Sequence, residues 1–280
     1  MRVTFHGVRG SVPAPGPDTA RYGGNTSCVE VQLSDGTMVV LDAGTGLRGL
    51  GRALLEGGSV PPIHMLLSHT HWDHILGLPF FAPLWMKETE LYVYPLASDA
   101  QERFQRTIFD DIHFPVSAND VPAKVEFRKP DGLEWKIGSA RVRRIPLNHP
   151  GGAQGFRIDD DDGTSLAYLT DNELNSPSAV VSADELARFA DGVGVLIHDS
   201  QYVAADMPNK RGWGHSVIDD VLRLGVLAEV GILALFHHDP DRTDLELDNI
   251  AERGASWVQE HTQQTRLVVA QEGLTLDLKR

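Results

Sequence analysis

Four side chains able to hold a divalent cation stand within six positions: His69, His71, Asp73 and His74, in the run Ser68-His69-Thr70-His71-Trp72-Asp73-His74. In an extended segment, residues two apart project to the same side, so His69 and His71 can chelate one ion together. Asp73 and His74 fall where the chain bends toward a helix and can face a second ion. Imidazole combined with carboxylate suits zinc, and also manganese or iron. A solvated histidine-rich loop has no use for this spacing, whereas a pair of metal ions does.

Such ligands need a rigid mount. The apolar run Ile63-His64-Met65-Leu66-Leu67 precedes the cluster and Ile75-Leu76-Gly77-Leu78 follows it. This pattern predicts a buried strand that delivers the cluster to its end, with a helix behind it. Three later runs end in the same way. Arg141 to Leu147 leads to His149, Ser165 to Thr170 leads to Asp171, and Gly231 to Phe236 leads to His237-His238. Each predicts a short strand closing on a ligand-type side chain, which would assemble a site along one edge of a sheet.

Further strands are expected near 3–8, 28–33, 38–42, 125–128, 133–137, 154–158 and 193–198, and one near 266–270. Helices are expected near 46–56, 97–109, 182–190, 215–228 and 242–260, and one from Asp73 that Pro79-Phe80-Phe81-Ala82-Pro83 breaks. Strands followed by strand–helix alternation, in two similar halves, fit two sheets packed face to face with helices outside. The length and alternation suit one large domain with two sheets as well as two domains; no polar linker divides the chain, and a single domain over 1–280 is expected. In Gly212-Trp213-Gly214-His215-Ser216, Ser216 with Asp219 reads as a capping box at the start of a helix.

This set of motifs resembles the metallo-β-lactamase superfamily, in particular the branch of ribonuclease Z and small phosphodiesterases. The resemblance rests on His69-x-His71-x-Asp73-His74, His149, Asp171 and a late histidine. The opening Gly7-Val8-Arg9-Gly10-Ser11 with Gly24-Asn25-Thr26-Ser27-Cys28, and the turn Leu41-Asp42-Ala43-Gly44-Thr45-Gly46, extend it over essentially the whole chain. It implies an α+β fold, a four-layer αββα sandwich. It also implies that His69, His71 and His149 hold one ion, that Asp73, His74 and a late histidine hold the other, and that Asp171 bridges them. His237 directly follows its strand and is preferred over His238. Neighbours on a strand point opposite ways, so His238 becomes a candidate for substrate contact or for supporting a ligand.

Asp42 is a candidate to orient a ligating imidazole, a role compatible with a turn-stabilising Asp before Gly. His215 is similar to the ribonuclease Z histidine that acts on the scissile phosphate, with local helix-start contacts as the plain alternative. Asp199 sits where that family often carries a longer Glu that could orient this histidine. Arg9 and Arg21 are candidates to bind a phosphate.

The net charge is −14, and tRNA binding normally calls for a basic face. Together with the absence of any insertion resembling a tRNA-binding arm, this favours a small phosphodiester substrate and argues against tRNA. The single cysteine, Cys28, rules out an internal disulfide framework. No membrane-length apolar run is present and the opening lacks a signal pattern, so a cytoplasmic protein with no membrane partner is expected. A homodimer is open. The expected function is therefore a binuclear metal hydrolase, zinc first and manganese or iron next. It would cleave a small nucleotide or cyclic nucleotide diester by attack of a metal-bound hydroxide, with Asp73 and His215 as catalytic residues. The alternatives are a thioester or lactone hydrolase of the same fold and a metal-stabilised nucleotide sensor without turnover.

Overall fold

The computed structural model describes residues 1–96, 108–109, 114–207 and 209–279. Among these, fourteen strands form two sheets. The first holds β1 (Arg2–Gly7), β2 (Cys28–Gln32), β3 (Met38–Leu41), β4 (Ile63–Leu66), β5 (Glu90–Tyr94), β6 (Lys124–Phe127) and β14 (Thr275–Asp277), in the order β14-β1-β2-β3-β4-β5-β6. The second holds β7 (Glu134–Ile137), β8 (Ala140–Leu147), β9 (Ala153–Asp160), β10 (Ser165–Leu169), β11 (Val195–Asp199), β12 (Ile232–Phe236) and β13 (Arg266–Val269), in the order β13-β12-β11-β10-β9-β8-β7. Each sheet is antiparallel in one half and parallel in the other. β3 through β6 pair in parallel, as do β10 through β13.

Among the described residues the α-helices are α1 (Leu47–Glu56), α2 (Trp72–Ile75), α3 (Ala183–Phe189), α4 (Ile218–Leu227) and α5 (Asp244–His261). Side-chain alternation along the strands separates three apolar layers. Val3, Phe5, Leu41 and Leu66 of the first sheet meet Phe156, Tyr168, Ile197 and Phe236 of the second in the central core. Met38, Val40, Ile63 and Met65 face outward and pack with Leu47 and Leu50 of α1. Leu196, Leu233 and Leu235 face the other way, onto Leu186 of α3, Val221 of α4 and Ile250 of α5. Parallel strands covered on both faces read as near-continuous apolar runs, as in Ile232-Leu233-Ala234-Leu235-Phe236. The result is the four-layer αββα sandwich of α+β class that the resemblance implied. Among the described residues, no helix is long and apolar enough to cross a membrane.

Three sequence expectations need comment. β5 and β14 were not anticipated. β5 is an alternating run held in parallel between β4 and β6, and β14 is three residues long and exists through its pairing with β1. The helix expected near 215–228 starts only at Ile218, and Ser216 does not cap it. The Ser216 hydroxyl instead donates to the Asn172 carbonyl and accepts from Leu174 N–H, and Ser216 N–H binds Asp199. Ser216 and Ile218 also exchange backbone bonds with Tyr202. These tertiary bonds hold 215–217 extended. Most of the helix expected over 97–109 lies outside the described residues.

Candidate metal centre

Chain segments leaving five strand ends converge on one edge of the sandwich. β3 leads into Asp42, β4 into 68–74, β8 into His149, β10 into Asp171 and β12 into His237. Among the described residues, only Ser11, Asp42, Asp171, Glu229 and His237 are non-glycine residues with positive φ. Four of these five stand at the site. Asp and His are among the residues that tolerate this left-handed backbone, yet each such residue costs about 1–3 kcal/mol. The twist turns Asp42, Asp171 and His237 off their strands and into the centre.

Two adjacent groups of ligand-type atoms result, and a third, formed by Asp171, Asp199, His215 and His237, overlaps the second. In the first, His149 Nε2 lies 3.1 Å from His71 Nδ1. The His69 ring stands 4.4 Å from that of His71 and 4.8 Å from that of His149. In the second, His74 Nε2 lies 3.2 Å from Asp73 Oδ2 and 3.3 Å from His237 Nε2, and His237 Nε2 lies 3.2 Å from Asp73 Oδ2. Asp171 belongs to the second group and borders the first. Its Oδ1 is 3.7 Å from His69 Nε2 and 3.6 Å from His149 Nε2, while its Oδ2 is 3.0 Å from His74 Nε2 and 3.2 Å from His237 Nε2.

Three outer ring nitrogens are tied down, whereas His237 Nδ1 is buried without a hydrogen-bond partner. His74 Nδ1 donates to Asp42 Oδ2 at 2.8 Å. His69 Nδ1 lies 3.0 Å from Ser68 Oγ, which itself donates to Asp42 Oδ2 at 2.8 Å. Tyr168 Oη donates to the same oxygen at 2.8 Å, and Ser68 N–H donates to Asp42 Oδ1 at 2.7 Å. One buried carboxylate thus fixes the tautomer of His74 directly and that of His69 through a hydroxyl. His149 Nδ1 donates to the Gly214 carbonyl at 3.0 Å. These bonds leave the inward nitrogens as lone-pair donors, the form in which imidazole ligates metal.

The charges fit a cation at the centre. His69 Nε2 is buried without a hydrogen-bond partner. Burial and the neighbouring His74 hold its pKa well below the usual imidazole range. Burial also lowers His149, partly offset by Asp171. In the second group burial opposes charge on His74, but Asp171, Asp73 and Asp42 outweigh it and raise its pKa. The same contest, won by Asp171 and Asp73, pushes His237 up to about 9. Burial would raise Asp73, yet His74 and His237 hold it well below the carboxylate range. Carboxylate oxygens and imidazole lone pairs packed this closely call for positive charge between them, which bound divalent ions supply.

His215 lines the mouth of the centre with Ser11, Thr70, His71, Trp72, Asp73 and Asp171, around a cavity of about 370 Å³. Its Nδ1 donates to Asp199 Oδ2 at 2.6 Å, so the shorter Asp does reach it. Ser11 N–H donates to Asp73 Oδ2 at 2.8 Å. Sequence reasoning gave no role to Ser11, Ser68 or Tyr168. Their roles arise from contacts between distant segments, such as Tyr168 with Asp42, which no local pattern announces.

Three candidates stand elsewhere. His238 turns away from the centre, donates from Nε2 to the Ala270 carbonyl at 2.8 Å and meets Tyr22 edge-on. Arg9 is fully buried, and it donates to the carbonyls of Gly23, Asp239 and Arg242, which pins the opening segment to the loop after β12. It is therefore closed to a substrate phosphate. Arg21 is spent on a two-pronged pair with Asp248.

Residues 37–238, over two thirds of the chain, match the family described as Beta-lactamase superfamily domain. The chain is 30% identical over 168 residues to a ribonuclease Z of Haloarcula marismortui, covering 58% of this chain and 48% of that one. The fold is similar to that of a diphosphatase from the PhnP family (TM-score 0.67, 21% identity, 99% of this chain and 98% of that one). It is also similar to zinc-bound PqqB from Methylobacterium extorquens (TM-score 0.70, 21% identity, 99% of this chain and 100% of that one). The chain thus belongs to the β-lactamase superfamily and is a metal-dependent hydrolase of that fold.

Proposed function

We propose that this protein is a phosphodiesterase that uses two divalent ions, zinc first, to cleave a small nucleotide or cyclic nucleotide diester. The observation that carries this reading is Asp171, whose two oxygens face different ligand groups. His69, His71 and His149 would hold one ion, Asp73, His74 and His237 the other, with Asp171 shared. Ions held there supply Lewis-acid charge for phosphoryl oxygens and bring the pKa of a water down toward about 7.

The protein's own residues do the rest. Asp42 and the Gly214 carbonyl keep the imidazoles aimed inward. Asp199 accepts from His215 Nδ1–H, which leaves His215 Nε2 as the nitrogen free to take up and pass on a proton at the mouth. There it can stabilise charge on the phosphoryl group or protonate the departing oxygen. Asp73, held by the Ser11 N–H, also lines the cavity at the mouth and could orient an attacking water. Support for phosphorus chemistry comes from the similarity to a ribonuclease Z and to a diphosphatase. The net charge of −14 favours a small substrate over structured RNA.

The test is elemental analysis paired with hydrolysis of bis(p-nitrophenyl) phosphate and nucleotide diesters, on wild type and Asp171→Ala. Two ions per chain and diesterase activity that the substitution abolishes are the expected results. Turnover of an acyl thioester alone, unaffected by His215→Ala, would replace the reading with a carbonyl hydrolase. Nucleotide binding without product would replace it with a sensor.

A further inference from the structure

Glu173 lies two residues beyond Asp171 and is 2% exposed. Among the described residues, no cationic side chain forms an ion pair with it. Its carboxylate instead accepts backbone N–H groups, Gly212 N at 3.0 Å from both oxygens and Gly214 N at 3.1 Å from Oε2. Gly212 and Gly214 have φ of 84° and 89°, so alternate N–H groups point to one place and form a nest for an anion. Glu173 is itself anchored, its N–H donating to the Asn148 carbonyl at 3.0 Å and its carbonyl accepting from Asn148 Nδ2 at 3.2 Å.

The clamped loop reaches the metal centre at two points. The Gly214 carbonyl accepts from His149 Nδ1 at 3.0 Å, and the next residue is His215. A side chain at position 214 would collide with the His149 ring and with Pro150, so the loop can lie this close only as glycine. An unpaired buried carboxylate is costly. Its charge-assisted bonds are about twice as strong as neutral ones, and here they hold the peptide that aims a candidate ligand.

We propose that Glu173 is a positioning residue: its carboxylate clamps the Gly212–Gly214 loop so that the Gly214 carbonyl fixes the tautomer and direction of His149. The inference rests on the reading of His149 as a ligand to the first ion. A carboxylate that merely stabilised a loop would affect folding without singling out one ion or one imidazole.

The experiment titrates zinc into metal-free wild type, E173A and E173Q by calorimetry, records thermal unfolding of each metal-free protein, and follows the His149 Nδ1–H signal by NMR of nitrogen-labelled imidazoles. In E173A one of the two ions should bind about 10–100-fold more weakly, the other should be retained, and the His149 signal should be lost. E173Q keeps the volume and one acceptor oxygen but not the charge. It should lie between the two and carries the test should E173A not fold. Wild-type zinc binding and an unchanged His149 signal in E173Q and in any folded E173A overturn the clamp. So does equal weakening of both ions, which marks general damage. Wild type binding fewer than two ions overturns the two-ion reading itself, and the clamp falls with it.

Discussion

The two ligand groups meet at Asp171 but differ in exposure and charge. Asp73, His74, Asp171 and His237 are all buried. In the other group only His69 is buried, while His71 is exposed and His149 lies between. The sealed group contributes two carboxylates, the open group three imidazoles and a share of one carboxylate. Less screening and more negative charge point the same way: an ion in the sealed group would be held tightly, and one in the open group would exchange more readily. Two groups that each take part of the 68–74 motif could thus divide the work, one anchoring the centre and the other exchanging with solvent.

The harshest way to break this comparison is Asp171→Ala. It removes the carboxylate that faces both groups, and the loss of several kcal/mol of charge stabilisation translates to about 10³-fold or more in kcat. Metal content should fall below two per chain by elemental analysis, and a variant that keeps two ions would show that the groups are independent. His215→Ala probes the mouth alone. It should lower kcat about 10²–10⁴-fold on diesters with a poor leaving group and less on p-nitrophenyl esters, with two ions still bound. Equal losses on both substrates would remove its role as proton donor.

Asp42→Asn probes the other side, because Asp42 touches His74 directly and His69 only through Ser68. Calorimetry should show metal affinity down about 10–100-fold, chiefly for the ion of the sealed group. Chelation offers a gentler test: stripping with a chelator should be biphasic, and half-stripped protein should show His71 and His149 freed before His74 and His237 by imidazole NMR. The reverse order would invert the comparison.

The smallest effect lies outside both groups. His64 on β4 bonds Tyr94 Oη at 3.0 Å, and burial, with Arg128 adding to it, pushes its pKa down to about 4. An unfolded histidine, with pKa about 6.5, takes up a proton that the folded one resists. Its contribution to stability is therefore whole above about pH 6.5 and shrinks as pH falls toward 4. His64→Gln should flatten the Tm-against-pH slope in that window for metal-free protein. An unchanged slope would place the acid sensitivity in the ligand groups.

Much of this architecture was legible because it depends on local pattern. Apolar runs ending on His or Asp marked β4, β8, β10 and β12 together with the residues they deliver. Adjacent histidines on an extended segment must diverge, which left His237 and His238 with opposite directions. Arg9 misled because an arginine in a glycine-rich opening looks available, and nothing local announces that three distant carbonyls bury it. Ser216 misled in the same manner, since a capping pattern was present but bonds to Asp199, Asn172 and Leu174 took its groups.

The sequence by itself determined most of the order of elements, the sandwich class and the residue types that gather at one edge, because periodicity and strand-end chemistry are written in neighbouring positions. The tertiary structure alone decided how those residues divide into a sealed and an open group. The left-handed backbone at Asp42, Asp171 and His237 is sustained only by packing around it. The bonds that aim the imidazoles join residues as far apart as Asp42 and Tyr168, or His149 and Gly214. Contacts at such separations follow from how the two sheets close on each other, which no local pattern encodes.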